Sequence, residues 1–485
     1  MRNGRLSSGL RFVKIASLPN SRSVSPYRCM KRNFLSILLG SFVAGSALLH
    51  ADPILLPDPF NVLNQSPLAA DCFGCRPSME KHGVDLTVQS VSDLFGNTTG
   101  GAATGTTYSG LLNIGLAADL QKSIGWEGAS FKSTWCWIYG SGGNNISSDY
   151  IDNAMTVSSI AAYPSFRCYE LWLQQNAFND IVSLRAGLLG LDTEFLVSDT
   201  ALLFVNSTFG PPALFSMNMP NGGPTFPDTT PGVRLALQPN SWLTLRTAFS
   251  QANPFQQQVN QNGFDWNFGP AGGLLNINEA AATWNQEPES VRLPGTAKAG
   301  FWIQSGRGPQ GDEVGQVSFG SPIASAYNTG FYGIIDQQLF TVRDKKADVQ
   351  SGTNPAAAKE AVASDDAPVK GLSSFARLGF SPQQTSSVGF YADSGLVYTG
   401  LIPTRSQDKL GLAFAYAQMS DQCASAVAAQ GCPGASFEAV AELSYSIRVA
   451  PAIAIQPDFQ YILHPGGTQQ YGNALVIGVR AVVDF

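Results

Sequence analysis

The sequence carries little charge and few long apolar runs. Aspartate, glutamate, lysine and arginine together make up 13% of the 485 residues, about half of the roughly 25% that is usual in soluble proteins. Beyond residue 51 there is no run of about 18 apolar residues, which excludes membrane-spanning helices from that part of the chain. The hydrophobic fraction is an ordinary 44%. A chain of this length and composition suits one large domain whose outer surface is not all exposed to water.

Histidine is also scarce, with three residues in the whole chain. Hydrolysis by a serine and a histidine needs a histidine that a third group holds in place. His82 precedes the first expected strand and His464 lies in the turn LHPGG, so neither has that setting. We therefore expect no enzymatic activity, no cofactor and no metal site, although the sequence leaves paired carboxylates for glycoside hydrolysis open.

The N-terminal part of the chain resembles a secretory signal. Residues 1–51 contain eight basic residues and no acidic one, and an apolar run over 34–49 ends shortly before Ala51. A basic stretch, an apolar stretch and a small residue in this order are typical of a cleaved signal peptide. We expect translation to start at Met30 and residues 1–51 to be removed, with an internal membrane anchor as the alternative. The rest has 21 basic against 35 acidic residues, which argues against nucleic-acid binding.

The cysteines form local pairs. Seven are present, and six follow Met30. An even number in an exported chain favours disulfides. The candidate pairs are Cys72 with Cys75, Cys136 with Cys168, and Cys423 with Cys432. The Cys72-x-x-Cys75 spacing also occurs in redox and metal sites, but no second such motif accompanies it.

Segments of about ten residues with an apolar side chain at every second position recur along the chain. Over 437–449 the apolar positions alternate with polar ones that include Glu442, and over 453–463 with polar ones that include Asp458. Strands that repeat one apolar and one charged face predict a barrel with lipid outside and water inside. The predicted fold class is therefore an all-β transmembrane antiparallel barrel of about 16 strands, of the outer-membrane porin type.

The barrel is expected over residues 85–485, with residues 52–84 as a periplasmic segment before it. The even number of strands agrees with single-chain bacterial barrels. The sixteen strands are predicted to begin near Asp85, Tyr108, Gly128, Ser165, Ile181, Gly232, Ser241, Leu274, Gly295, Asn328, Leu372, Thr385, Lys409, Ser436, Ala452 and Gly472.

The lengths of the connections support this assignment. In bacterial barrels the periplasmic turns are short and the outer loops are long. The predicted short connections follow even strands, at 123–128, 238–241, 287–294 and 449–451. The predicted long ones follow odd strands, at 190–231, 252–273, 306–327 and 420–435. Two connections depart from the pattern, the short outer turn 381–386 and the long inner insertion 342–371, whose role the sequence leaves open.

The chain ends on an aromatic residue, Phe485, directly after the alternating strand 474–484. Every backbone group within lipid has to be paired, so the last strand of a barrel must close on the first. A terminal aromatic on a final amphipathic strand is the signal that bacterial outer-membrane insertion machinery reads. We therefore expect that machinery to be a partner of this chain.

Several segments resemble the carbohydrate-selective porin family, OprB. The likeness covers most of residues 80–485. Its clearest parts are EKHGVDLTVQSVSDLFGNTTGG (80–101), GWEGASF (125–131), GFYGIIDQQLF (330–340), YADSGLVYTGLIPTRSQDKLGLAFAYA (391–417) and AELSYSIRVAPAIAIQPDFQYILHPGG (441–467). The segment DCFGCRP (71–77) and the insertion 342–371 depart from the family pattern. The resemblance implies a sixteen-stranded outer-membrane porin with a preference for sugars such as glucose.

Strand parity indicates which side chains face the lumen of such a barrel. Arg185, Arg234 and Arg246 are expected to flank a constriction, because arginine offers several fixed donors to sugar hydroxyls. The other candidates for this constriction are Glu170, Trp172, Arg377 and Asp393. For each single residue, an ordinary wall residue paired with its neighbour is the alternative. By the same parity, Cys136 and Cys168 face the lumen on neighbouring strands.

One long connection is expected to narrow the lumen. Residues 193–220 should fold inward as a loop. The loop contains four phenylalanines, Phe195, Phe204, Phe209 and Phe215. The sequence allows two roles for them, as stacking surfaces for sugars or as packing residues within the loop.

These observations predict passive diffusion of glucose-like sugars through a water-filled pore in the bacterial outer membrane. A non-selective diffusion porin is the first alternative, and an outer-membrane hydrolase or a secreted β-sandwich binding protein are more distant ones. The expected partners are small sugars and membrane lipid. The preferred sugar and the oligomeric state stay open, with a homo-oligomer among the options.

Overall fold

The computed structural model describes the barrel and its loops with several gaps. The described residues are 75–141, 145–269, 271–286, 290, 292–306, 327–342, 370–421, 423–425 and 436–485. The expected signal segment, Cys72, Cys432 and nearly all of the 342–371 insertion lie outside them. Within the described residues, no helix is long and apolar enough to cross a membrane.

Sixteen antiparallel strands form one closed barrel, in which each strand pairs with its neighbours in sequence and β1 pairs with β16. This confirms the predicted fold and contradicts the β-sandwich alternative. The strands are β1 Val84–Thr99, β2 Gly105–Asp119, β3 Ala129–Gly140, β4 Ser165–Ala177, β5 Val182–Leu189, β6 Thr230–Asn240, β7 Leu243–Gln251, β8 Leu274–Trp284, β9 Gly295–Ser305, β10 Tyr327–Thr341, β11 Gly371–Phe380, β12 Val388–Thr399, β13 Lys409–Met419, β14 Phe437–Ala450, β15 Ile453–Leu463 and β16 Ala474–Asp484.

The alternation in the sequence sets the two faces of the wall. In β14, Leu443 points outward and is 45% exposed, while the neighbouring Glu442 points into the barrel and is 0% exposed. Because successive side chains of a strand point to opposite faces, the same pattern holds along each strand. Every predicted strand start lies within three residues of the observed one.

The barrel closes where its two ends meet. Val91 of β1 lies opposite Val482 of β16, and the amide of Phe485 donates to the carbonyl of Val88 at 2.9 Å. A short helix, α1 Cys75–Lys81, lies beside this seam. From it, Arg76 Nη2 donates to the carbonyl of Phe485 at 2.9 Å. The described part of the N-terminal segment is thus bound to the last residue of the chain.

The connections follow the predicted alternation in length. The turn after β2 holds the short helix α2 Leu120–Ile124, which Asp119 caps at its start and Gly125, in the left-handed conformation with φ of 79°, ends. The turn after β6 has only two residues, 241–242. Long connections follow odd strands, except after β1 and β11, where the connections 100–104 and 381–387 are short.

Among the described residues, two long connections fold into the lumen. We name residues 145–164, after β3, the first inward loop, and residues 190–229, after β5, the second inward loop. The first contains a π-helical turn, Ser147–Ile151. The second contains the helix α3 Ala213–Ser216 and four short 3-10 turns, Leu191–Thr193, Ala201–Leu203, Ser207–Phe209 and Pro220–Gly222. Together they bring apolar side chains into the lumen, where these pack with side chains of the strands into one buried core.

Candidate functional site

Arg185 and Arg234 lie directly opposite each other on β5 and β6 and both point into the lumen. Glu194, from the second inward loop, lies between them, with contacts of 3.0 Å to Arg185 Nη1 and 2.7 Å to Arg234 Nε. Gln174 Oε1 on β4 accepts from Arg185 Nη2 and from Arg234 Nη2, each at 2.8 Å. A single carboxylate and a single amide therefore hold two guanidinium groups side by side.

The next group lies on β3 and β4. The Arg185 guanidinium carbon stands 3.8 Å from the centre of the Trp172 ring, a cation–π contact that holds the guanidinium over the ring. Trp172 Nε1 donates to Glu170 Oε1 at 3.2 Å, and Lys132 Nζ lies 2.7 Å from Glu170 Oε2. Trp172 is buried beneath Arg185, so its ring supports the arginine and is not itself open to a solute.

The third group lies on β7 to β9. Arg246 Nη1 is 3.3 Å from Glu279 Oε1, and Glu279 Oε2 accepts from the Leu196 amide at 3.1 Å. Lys298 Nζ donates to the carbonyl of Val197 at 2.7 Å. Both contacts to residues 196 and 197 attach the second inward loop to this wall.

We name five cations the basic belt, because they occupy neighbouring strands from β3 to β9. Four of their side chains remain partly open to solvent, with Lys132 38%, Arg246 26% and Arg185 15% exposed and Lys298 partly exposed, whereas the Arg234 side chain is buried at 4%. The three arginines that parity predicts at a constriction are thus brought together with two lysines. The members are Lys132, Arg185, Arg234, Arg246 and Lys298.

Arg377 and Asp393, which the sequence analysis placed at the same constriction, lie on β11 and β12, away from the basic belt. Both are buried, and Arg377 Nε is 3.0 Å from each oxygen of Asp393. Arg377 also donates to the carbonyls of Leu196, Thr208 and Gly210 in the second inward loop. This expectation is corrected, because the loop covers the pair and the pair anchors the loop.

The phenylalanines of the second inward loop are buried as well. The Phe204 and Phe209 rings lie 5.0 Å apart, and the Phe215 ring lies 5.3 Å from Trp302 of β9. Of the two readings kept for these rings, packing within the lumen is the one that the structure shows. They fix the shape of the loop and are not a stacking surface for solutes.

The predicted disulfide between Cys136 and Cys168 is absent, and both residues are buried free thiols. A β-bulge between β3 and β4 places Cys168 opposite Trp135, and Arg167 takes the place opposite Cys136. Cys136 Sγ donates to Asn113 Oδ1 at 3.1 Å instead. Parity identified neighbouring strands correctly, but an irregularity of one residue moved the two thiols out of register.

The disulfide candidates outside the strands stay predictions. Cys75 begins α1, and its expected partner Cys72 is outside the described residues. Cys423 is a partly buried thiol in the connection after β13, and its expected partner Cys432 is outside them too.

Two buried carboxylates of β14 bind the inward loops. Glu438 of β14 accepts hydrogen bonds from the amides of Ala154 and Met155 at 2.8 and 2.7 Å. Glu442, four residues further along β14, accepts from the amides of Val205 and Asn206 at 2.6 and 3.0 Å. The two carboxylates therefore hold one inward loop each.

Another pair on this wall closes the seam from inside. Asp93 of β1 and Arg480 of β16 form an ion pair at 2.7 Å. Ser158 Oγ of the first inward loop donates to Asp93 at 2.6 Å, and Arg480 donates to Ser159 Oγ at 3.0 Å. The seam and the loop thus share one network.

Sequence reasoning missed the first inward loop, Glu194, Lys132 and Lys298. Lumen parity contains a signal for the two lysines, since both occupy inward positions near the arginines. It contains none for Glu194, because the position of a loop residue depends on how the whole loop folds.

A partly buried acid, Asp192, marks the point where the second inward loop leaves β5. Asp192 Oδ1 accepts from the Tyr169 hydroxyl and Oδ2 from the Phe226 amide, each at 2.9 Å. Burial away from water raises the pKa of Asp192 to about 6, although both hydrogen bonds act in the opposite direction.

Comparison with known proteins decides the family. A sequence model of the family described as carbohydrate-selective porin, OprB family, matches residues 103–485. The chain belongs to the OprB family. This OprB-family porin is therefore a protein of the bacterial outer membrane, and its family and fold are those of a channel.

Two curated relatives extend over almost the whole chain. Porin B of Pseudomonas aeruginosa is 25% identical over 478 residues, which cover 92% of this chain and 96% of that protein. The putative porin QuiX of Acinetobacter baylyi is 22% identical over 476 residues, which cover 91% of this chain and 98% of that protein.

A solved structure shows the same fold. The high-pH structure of OprB from Pseudomonas putida matches with a TM-score of 0.69 at 23% identity, over 86% of this chain and 97% of that one. The low-pH structure of the same protein matches with a TM-score of 0.51 at 18% identity.

Proposed function

We propose that this OprB-family porin is a passive, water-filled channel for glucose-like mono- and oligosaccharides. The observation that carries the proposal is the basic belt, in which the ammonium and guanidinium donors of Lys132, Arg185 and Arg246 stay partly open to solvent at fixed positions. Sugar hydroxyls lose water on entering a narrow lumen, and fixed donors and acceptors replace those hydrogen bonds.

The belt is suited to weak binding. Each arginine is already held by a carboxylate, so the donors that remain for a solute are few and do not move when it passes. A pore must bind a solute well enough to admit it and weakly enough to release it. Partly satisfied arginines meet both conditions better than free ones.

Single-channel recording in planar bilayers tests this proposal. Glucose should reduce the current through the wild-type channel, and the double variant Arg185→Ala/Arg246→Ala should need about fivefold more glucose for the same reduction, because two charge-assisted donors are lost. A control double variant, Lys122→Ala/Arg448→Ala, removes the same charge from exposed positions outside the belt, one in the turn helix α2 and one near the end of β14. It should behave as wild type, and an equal effect of both doubles would contradict a role of the belt.

The non-selective alternative has its own readout. Liposomes that contain the porin should swell faster in glucose than in an amino acid of similar size. Equal swelling rates would replace the sugar preference with general diffusion through the same barrel.

A further inference from the structure

The charged side chains of the lumen wall around the basic belt differ in their exposure to solvent. Five cations face three carboxylates there, Glu170, Glu194 and Glu279. Glu170 is 3% and Glu279 is 0% exposed, whereas their partners Lys132 and Arg246 are 38% and 26% exposed. At these two pairs a solute in the lumen meets the cation first, whereas Glu194, at 21%, is more exposed than its partners Arg185 and Arg234, at 15% and 4%.

The buried carboxylates are also occupied from the protein side. Glu279 accepts from the Leu196 amide and from the Tyr332 hydroxyl, at 3.1 and 2.9 Å. Glu170 accepts from the Trp172 indole at 3.2 Å. Their lone pairs point into the wall and the loop, which leaves little of their negative charge directed at a solute.

This local surplus of positive charge stands against the rest of the molecule. The whole chain has a net charge of −6, yet its pore wall from β3 to β9 carries four partly exposed cations and the buried Arg234. A lumen with low-dielectric walls concentrates the field of such a group. The field attracts anions into the part of the lumen where sugars pass.

We propose that the belt makes sugar acids, hexoses that carry a carboxylate, the solutes that this pore holds best. The proposal rests on the proposed sugar channel and names its preferred substrate class. A carboxylate forms short charge-assisted hydrogen bonds to arginine and lysine, while the hydroxyls of the same ring use the remaining donors. A neutral hexose has only the second set of contacts.

Current block by three matched sugars tests this on the wild-type channel. Glucuronate, glucose and glucosamine share a pyranose ring and differ in charge. In 0.1 M KCl, glucuronate should block at about a fivefold lower concentration than glucose, and glucosamine at a higher one. In 1 M KCl the differences should shrink, because the Debye length falls from about 10 Å to about 3 Å.

The variant Lys132→Gln/Arg246→Gln locates the effect. It should block equally with glucuronate and glucose, while the control Lys122→Gln/Arg448→Gln keeps the preference for glucuronate. Heat-modifiable migration of each protein in unboiled detergent gels shows that its barrel has folded. The comparison of the three sugars on the wild-type channel tests the proposal even if a variant fails to fold.

The outcomes separate the two proposals. If glucose blocks the wild-type channel as well as glucuronate does, the preference for sugar acids is overturned and the sugar channel stands. If salt is conducted and none of the three sugars changes the current, the sugar channel falls together with this inference. A glucuronate preference that survives the loss of Lys132 and Arg246 overturns the role of the belt.

Discussion

The two halves of the lumen wall use charge in opposite ways. From β3 to β9 the wall carries the basic belt, whose cations remain partly exposed except for the buried Arg234. From β10 through β16 to β1 it carries carboxylates that are buried beneath the inward loops; they are Asp93, Asp336, Asp393, Glu438, Glu442 and Asp458. Most cations of the first half are thus partly exposed to solvent, and the carboxylates of the second half are buried against the inward loops.

The buried half binds backbone. Glu438 and Glu442 accept four loop amides between them, and Asp336 accepts from Ser198 Oγ at 2.6 Å. A carboxylate that accepts two or more N–H groups satisfies donors that a loop folded on itself would leave unpaired. The acidic residues of this half therefore determine where the loops lie.

The comparison teaches that the strands alone do not decide which lumen residues meet a solute. Both halves have the same alternation and the same kind of inward polar side chains. The second inward loop also contacts the basic half, through Glu194, Leu196 and Val197. Lys132, Arg185 and Arg246 nevertheless stay partly exposed there and can act on solutes. Four predictions follow this division, beginning with the largest expected effect.

Arg377→Met should destabilise the porin the most. The change leaves the carboxylate of Asp393 buried and unpaired, and it removes donors from three loop carbonyls. Breaking a buried ion pair in this way costs about 3–5 kcal/mol. Urea unfolding followed by tryptophan fluorescence measures the change in the free energy of unfolding.

The double variant Arg377→Met/Asp393→Asn is the matched control. It removes the buried charge as well, so it should recover part of the lost stability. A single variant as stable as wild type would show that the pair does not anchor the loop.

Glu438→Gln should release the first inward loop. Both carboxylate oxygens accept hydrogen bonds, Oε1 from Met155 and Oε2 from Ala154 and Gly466. An amide presents a donor to at least one of these N–H groups, at a cost of about 1–3 kcal/mol. The single-channel conductance should rise because the loop leaves more of the lumen open.

The preference between chloride and potassium should stay unchanged in this variant, since the basic belt lies on the other half. A conductance equal to that of wild type would mean that the first inward loop is held by its remaining contacts alone.

These variants test features that the sequence reveals to different extents. The alternation of apolar residues predicts all sixteen strands, and parity predicts the inward direction of Arg185, Arg234 and Arg246, because both depend only on local geometry. Parity could not separate these arginines from Arg377, since all four point inward. What separates them is the path of a loop of about forty residues.

Local geometry also fails to predict that Cys136 and Cys168 remain free thiols. Cys136 and Cys168 occupy adjacent strands as expected, but the bulge that separates them has no marker in the sequence. A register depends on every pair along two strands, and a single extra residue shifts those beyond it.

The pH dependence of the second inward loop should be smaller, because it involves one proton at Asp192. Burial raises the pKa of this carboxyl to about 6, above its value of about 3.9 in an unfolded chain. Between pH 4 and pH 6 Asp192 keeps its proton in the folded loop and loses it in the released loop. The free energy that attaches the loop therefore decreases as the pH rises from 4 to 6 and stays constant above pH 6. We expect a change of about 1 kcal/mol, reduced by partial exposure.

Hydrogen exchange of the amides over residues 220–229, corrected for the intrinsic rate, measures this at pH 4 and pH 7. Asp192→Asn keeps the size of the side chain and should remove the pH dependence. Exchange that responds to pH equally in both proteins would assign the effect to another group.

Glu170→Gln makes on the exposed half the same chemical change that Glu438→Gln makes on the buried one. Lys132 loses its partner at 2.7 Å, and the lumen gains one net positive charge. Because Lys132 is partly exposed, the pair contributes only about 0.2–1 kcal/mol. The ratio of chloride to potassium permeability, from reversal potentials in a KCl gradient, should rise about twofold while the conductance and stability stay near wild type. If Glu170→Gln opened the pore and Glu438→Gln changed its ion preference, the division of the wall into a half that acts on solutes and a half that holds the loops would be wrong.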